Sequence, residues 1–180
     1  MQGRVVATLN NLRGSQVDNK GMAFFPRKLN DRFVMLSRQG GERMGIMKSD
    51  DYMTWDKKLH LQSPTRPFEL VQNGNCGSPI ETAEGWLMIT HHVGPLRRYS
   101  LSVSLLDLES PEKVISILQE PMMEPLESER EGYVPNVLYT CGWMKHGDSI
   151  LIPYAMSDVA CGFAIVNTRE LLDQLKADKQ

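Results

Sequence analysis

The chain has 180 residues, 41% hydrophobic and 23% charged, and its 20 basic against 22 acidic residues leave a net charge of -2. At this size folding buries roughly 70% of the unfolded chain's surface, enough for a core without disulfide or metal staples, so one domain over residues 1–180 is expected and disordered or fibrous classes are excluded. The balanced charge provides no basic field for a nucleic-acid backbone, and a mean hydropathy of -0.33 without any 18-residue apolar run argues against a membrane span.

Residues Met1-Gln2-Gly3-Arg4 lead into no signal-peptide core, which makes a cytoplasmic location the expectation. Cys76, Cys141 and Cys161 are odd in number, widely separated and form no C-x-x-C pair, the pattern of buried thiols in a reducing compartment. His60 and His146 stand alone, and His91 and His92 point to opposite faces if they lie on a strand, so no metal site is expected.

In chain order, short β-rich runs fall at residues 4–9, 32–38, 85–90, 99–106 and 149–154, each bounded by turn residues. Helical periodicity emerges only at the end, where residues 168–179 open on Thr168 as the expected N-cap and place Leu171, Leu172 and Leu175 on one side. Three stretches, 25–36, 78–89 and 142–153, each read as strand, polar turn, apolar strand. A second strand pair follows each, near 44–48, 100–107 and 162–166, so the unit repeats about every 55 to 60 residues. Repeated four-stranded units indicate propeller blades, and Trp86 and Trp143, beside equivalent turns, are expected to pack them. The predicted fold is all-β, about three four-stranded blades with a short C-terminal helix. An arc of blades leaves open sheet edges, and a homo-oligomer that covers them is the expected assembly.

Polar and aromatic residues gather where strands meet loops, at Phe25-Pro26-Arg27-Lys28, Ser37-Arg38-Gln39, Asn75-Cys76-Gly77-Ser78-Pro79-Ile80-Glu81-Thr82, Thr90-His91-His92, Glu129-Arg130-Glu131-Gly132-Tyr133-Val134-Pro135-Asn136 and Tyr154-Ala155-Met156-Ser157-Asp158. In a propeller equivalent strand ends converge around one axis, so motifs this far apart in sequence can face a common pocket. Carboxylates and arginine bind hydroxyls and flat rings cover a pyranose face, which makes carbohydrate the natural ligand; a protein-interaction propeller is the alternative that composition does not favour.

The stretches Gly77-Ser78-Pro79-Ile80-Glu81-Thr82-Ala83-Glu84-Gly85-Trp86-Leu87, His91 with Val93, Leu105-Leu106-Asp107-Leu108-Glu109-Ser110-Pro111-Glu112-Lys113-Val114-Ile115, Glu131-Gly132-Tyr133-Val134-Pro135-Asn136-Val137 and Cys141-Gly142 resemble, in that order, glycoside hydrolase family 130. The resemblance covers the later blades of that family's five-bladed propeller. It implies a glycosylase acting on β-mannosides with inversion, either as a phosphorylase that uses inorganic phosphate as co-substrate or as a hydrolase, with no other cofactor. The family's general-acid aspartate lies in an upstream Asp-Pro-Arg type motif that has no counterpart in this sequence, so the catalytic acid is unassigned and a non-catalytic carbohydrate-binding fragment is the alternative.

Carried over residue by residue, the resemblance makes Arg38, His91, Asp158, Tyr133 and Glu81 candidate substrate contacts and Lys28 and His91 candidate phosphate contacts. Each has a plainer reading: Lys28 and Arg38 as solvated charges, His91 as a blade-bracing hydrogen-bond group, Asp158 as a turn cap, Glu81 as a strand-end contact and Tyr133 as packing. The matched Tyr-His-Gly stretch departs from the family twice, with Thr90 in the tyrosine's place and His92 in the glycine's.

Overall fold

The computed structural model describes residues 10–17, 20–40 and 43–179; the apolar run at 4–9 lies outside them. Three antiparallel sheets follow one another along the chain. The first runs β1 (Lys20–Phe24), β2 (Phe33–Gln39), β3 (Arg43–Ser49), β4 (Lys58–Gln62) in spatial order. In the second, β5 (Gln72–Asn75), β7 (Gly85–Val93), β8 (Tyr99–Leu106) and β9 (Val114–Ile117) lie side by side, and the short β6 (Ile80–Thr82) extends the β5 edge of β7. The third pairs β10 (Leu138–Tyr139), β11 (Met144–His146) and β13 (Ala160–Asn167) with β12 (Ser149–Met156). This is an all-β partial propeller of three blades, as the repeat predicted, closed by the helix α1 (Thr168–Ala177).

Strand β7 shows why the sheets stack. All nine of its residues are buried, and because successive side chains on a strand point to opposite faces, the two faces feed two cores. Trp86 and Met88 join Phe25, Val34, Leu36 and Ile46 between the first and second sheets. Leu87 and Ile89 join Leu101, Val103, Ile150 and Ile152 between the second and third, where Leu171, Leu172 and Leu175 of the helix complete the cluster. Trp86 is wholly buried, donates its indole N–H to the Leu108 carbonyl at 3.0 Å and meets the Phe25 ring edge-on at 5.0 Å. Trp143 has the matching task one blade later, donating to the Ser78 carbonyl at 3.2 Å.

Two local expectations need correction. The helix is capped by Asn167, whose side-chain oxygen accepts from the Arg169 and Glu170 amides at 2.9 and 3.1 Å; Thr168 already lies inside the helix. Of the three thiols only Cys76 is buried. Cys161 is exposed on β13 at the outward face of the third sheet, and Cys141 is exposed in the connection between β10 and β11.

Register decides which end of each sheet a residue occupies. The pairs Lys20↔Arg38, Gln72↔Val93 and Leu138↔Met156 put the beginnings of β1, β5 and β10 at the same end as the β2–β3, β7–β8 and β12–β13 turns. The turns β1–β2, β6–β7 and β11–β12 lie at the other end, which we term lower. Trp86→Ala is expected to cost about 3–5 kcal/mol in urea unfolding, and Asn167→Ala about 1 kcal/mol.

Candidate functional site

At the upper end the three sheets meet around His91. Arg38, from β2 of the first sheet, brings Nη1 to 3.2 Å from His91 Nε2, and Gln72 of β5 brings its amide nitrogen to 3.4 Å from the same atom. On the other side of the ring His91 Nδ1 lies 3.4 Å from Cys76 Sγ, and Tyr139 of β10 meets the imidazole edge-on with centroids 5.3 Å apart. Arg38 crosses from one sheet to the next because β5 has a glycine beneath it. A Cβ on Gly74 would sit 2.7 Å from His91 Cε1 and 2.9 Å from Arg38 Cδ, closer than non-bonded carbons approach.

Hydrogen-bond chemistry fixes the protonation of this ring. A guanidinium has donors only, so His91 Nε2 accepts from Arg38 and the proton resides on Nδ1, directed at the Cys76 sulfur. Burial, the Arg38 charge and His92 hold His91 down at about 3, and burial pushes the Cys76 thiol up. Around neutral pH the cluster therefore has one formal positive charge, on Arg38, braced by a neutral imidazole. Arg38 Nε is buried without a partner among the described residues, so the guanidinium retains capacity for an anionic or hydroxyl acceptor.

The neighbouring departures from the family pattern compensate one another. His92 points to the opposite face of β7, where its Nε2 lies 2.7 Å from Thr90 Oγ1 and its Nδ1 3.3 Å from Glu69 Oε2. Phe68 packs edge-on against that ring at 5.3 Å. Burial pushes the Glu69 carboxyl up, but His92 and the Thr65 and Arg66 amides outweigh it and hold the group at about 2. Thr90 and His92 thus form a buried brace on the far side of the strand from His91.

Among the residues expected at the site, the structure brings Arg38 and His91 into contact. Asp158 and Tyr133 are at the same end of the sheets on adjoining loops: Asp158 occupies the β12–β13 turn at φ 52°, and Tyr133, 86% exposed, precedes Val134, whose amide donates to the Ser157 carbonyl at 3.1 Å. Lys28 and Glu81 are placed apart from this cluster. Both belong to lower-end turns, away from His91: Lys28 stands 4.3 Å above the Phe33 ring, and Glu81 accepts from Arg27 Nη2 at 2.7 Å, which holds its carboxyl below the usual range. Register places them at the opposite end of the blades from Arg38 and His91. Gln72, Gly74 and Tyr139, which complete the cluster, were not singled out from sequence; the one available signal was a polar, glycine-containing run between two apolar strands.

These features define a propeller whose successive sheets direct an arginine, a neutral histidine and a tyrosine to one end. The family model described as beta-1,4-mannooligosaccharide phosphorylase, glycoside hydrolase family 130, matches residues 3–177, and the chain belongs to that family. A 1,2-beta-oligomannan phosphorylase of Thermoanaerobacter sp. is 39% identical over 155 residues, which are 85% of this chain and 52% of the relative. A beta-1,4-mannooligosaccharide phosphorylase of Ruminococcus albus is 32% identical over 171 residues, 88% of this chain and 51% of the relative. The solved beta-1,2-mannobiose phosphorylase of Listeria innocua, in complex with beta-1,2-mannobiose, superposes with a TM-score of 0.82 at 29% identity, covering 89% of this chain and 47% of that one. The chain spans about half the length of the curated relatives it matches.

The low His91 value has a consequence for stability. The folded state holds this ring neutral below its ordinary value of 6.5, so its contribution is fully present above about pH 6.5 and is lost as pH falls toward 3. Glu69 contributes the same way in a lower window, from about 4.5 down to 2. Urea midpoints measured from pH 7.5 to 4.5 are expected to fall for the native chain and to be flatter for His91→Gln. Gly74→Ala is expected to displace His91 and Arg38, read as a shift of the His91 imidazole resonances in NMR spectra.

Proposed function

We propose that the chain supplies the later blades of a β-mannoside phosphorylase, with Arg38 and His91 contributing to the site that receives mannoside and inorganic phosphate. The observation that carries this reading is the Arg38–His91 contact, a lone cation fixed by a neutral histidine, in a chain of this family. In phosphorolysis an acid protonates the glycosidic oxygen, a phosphate oxygen attacks the anomeric carbon from the opposite face, and the bond to the leaving sugar breaks, giving mannose 1-phosphate with inversion. Arg38 would neutralise charge on the phosphate or donate to the hydroxyl oxygens of the sugar, and the Nδ1 proton of His91 keeps its Nε2 turned to that guanidinium. The acid comes from outside this sequence, which has no Asp-Pro-Arg motif.

The reading includes an assembly. The outward face of the third sheet exposes Met144, Phe163 and Ile165 beside a hollow of about 690 Å³, whereas the outward face of the first sheet is packed by Trp55, Met35 and Met47 with Leu12 and Val17. A bare apolar sheet face favours pairing, and with one such face among the described residues a second copy meets it symmetrically.

Incubation with β-1,2- or β-1,4-linked mannosides, with and without phosphate, tests the activity. For this chain alone we expect saturable mannoside binding without turnover, weakened at least tenfold by Arg38→Ala, and mannose 1-phosphate once a polypeptide with the acid-bearing blades is added. Free mannose would favour hydrolysis, and binding that no added blades convert to turnover would favour the carbohydrate-binding alternative. Sedimentation at micromolar concentration is expected to give a dimer that Phe163→Glu dissociates; a monomer for the native chain would reject the assembly.

A further inference from the structure

At the upper end, one strand farther from the axis than His91, lies a cavity of about 450 Å³ that neither Arg38 nor His91 lines. Three segments build it: the β7–β8 connection 94–98, the turn at Pro67–Glu69, and the loop from Glu124 to Asn136. Phe68 forms one wall, and Gly94 packs against its backbone so closely that a Cβ would come within 3.2 Å of the Phe68 carbonyl oxygen. Leu96, 97% exposed, stands at the rim and, with Arg97, has a φ of 57°, an uncommon conformation for residues with side chains.

Three of the polar residues facing this space, Ser100, Arg130 and Asn136, keep unspent groups. Ser100 is 1% exposed, yet its hydroxyl has no partner among the described residues. Arg130 uses Nε on the Pro125 carbonyl, leaving its Nη donors, and the Asn136 carboxamide makes no hydrogen bond with the described residues although its backbone is tied at both ends, amide to the Arg130 carbonyl and carbonyl to the Tyr99 amide. Arg98 is neutralised by Glu124 at 2.9 Å. The loop that presents these groups is pinned by buried Glu129, which accepts from Tyr154 Oη at 2.7 Å and from the Leu126 amide at 2.9 Å. An aromatic and aliphatic wall opposite a hydroxyl, a carboxamide and the Arg130 guanidinium matches a pyranose, which has an apolar face and a rim of hydroxyls; an anion would leave the wall unused.

We propose that this cavity is a second saccharide-binding site, taking a neutral pyranose unit of an oligosaccharide on the Phe68 wall with hydroxyls on Ser100, Arg130 and Asn136. Only the identity of the sugar as a mannoside rests on the function proposed above.

The test is a titration of isotopically labelled protein with β-1,2-mannobiose and, separately, with inorganic phosphate, following the amides of Gly94, Ser100 and Asn136 and the ring protons of His91 by NMR. Mannobiose is expected to shift the cavity amides, to do so still in Gly74→Ala, and to bind there at least fivefold more weakly in Arg130→Ala and in Ser100→Ala. Ser100→Ala removes an unpartnered hydroxyl and is expected to leave the melting temperature unchanged, so a loss of binding in that variant is not a loss of fold. Shifts at the cavity without any at His91 would support this site and count against the mannoside reading of the Arg38 cluster. Shifts at His91 alone, shifts at neither place, unchanged affinity in both variants, or displacement of the sugar by phosphate would each overturn the proposal.

Discussion

A missing side chain at Gly74 governs how the three sheets share their upper end. Propeller blades bring inner strands together, but ordinary side chains on those strands would hold neighbouring sheets apart there. With a hydrogen in place of Cβ, the Arg38 side chain lies across β5 and reaches His91 of the next sheet. That contact determines the tautomer, the tautomer orients Nδ1 toward Cys76, and burial keeps the ring uncharged. The electrostatic character of the cluster thus follows from backbone clearance at a single position.

Strand β7 and its neighbours were legible in the sequence because they are buried. The run at 85–90 is recognisable from Trp86 to Ile89, apolar on both faces, although the strand continues through polar Thr90, His91 and His92 to Val93, and β8 was bounded correctly at Tyr99–Leu106 by the turn residues around it. The inner strands were not legible. Gln72–Asn75 is short, polar and contains a glycine, the composition of a loop, since its side chains face neighbouring inner strands and polar groups instead of a hydrocarbon core. The β10 strand has only two residues, too few for any periodicity.

The candidate site was half legible for a related reason. A resemblance read along the chain grouped Lys28 and Glu81 with Arg38 and His91. It carries no information on which end of a blade each residue occupies, because that depends on register across strands. Arg27 and Glu81 bind one another beside Trp86, a pair that bridges two lower-end turns of successive blades. His92 differs in kind: its placement away from His91 was implied by strand alternation, but the brace of Thr90 and Glu69 that receives it comes from a distant turn and has no local signature.

The contact between the first two blades is uneven along its length. Below, it is filled by Trp86, Met88, Phe25 and Leu36; above, the same faces carry Asn73, Asn75, Thr90, Ser100 and Ser102, among which the Asn73 carboxamide and both serine hydroxyls find no partner among the described residues. Hydrocarbon contacts resist separation, whereas unmatched dipoles gain by admitting solvent. The joint between these blades is consequently a wedge with a firm root and a compliant lip, and the lip is on the side where Arg38 and His91 touch, so small rotations of one blade against the other would alter their separation before disturbing the packing below.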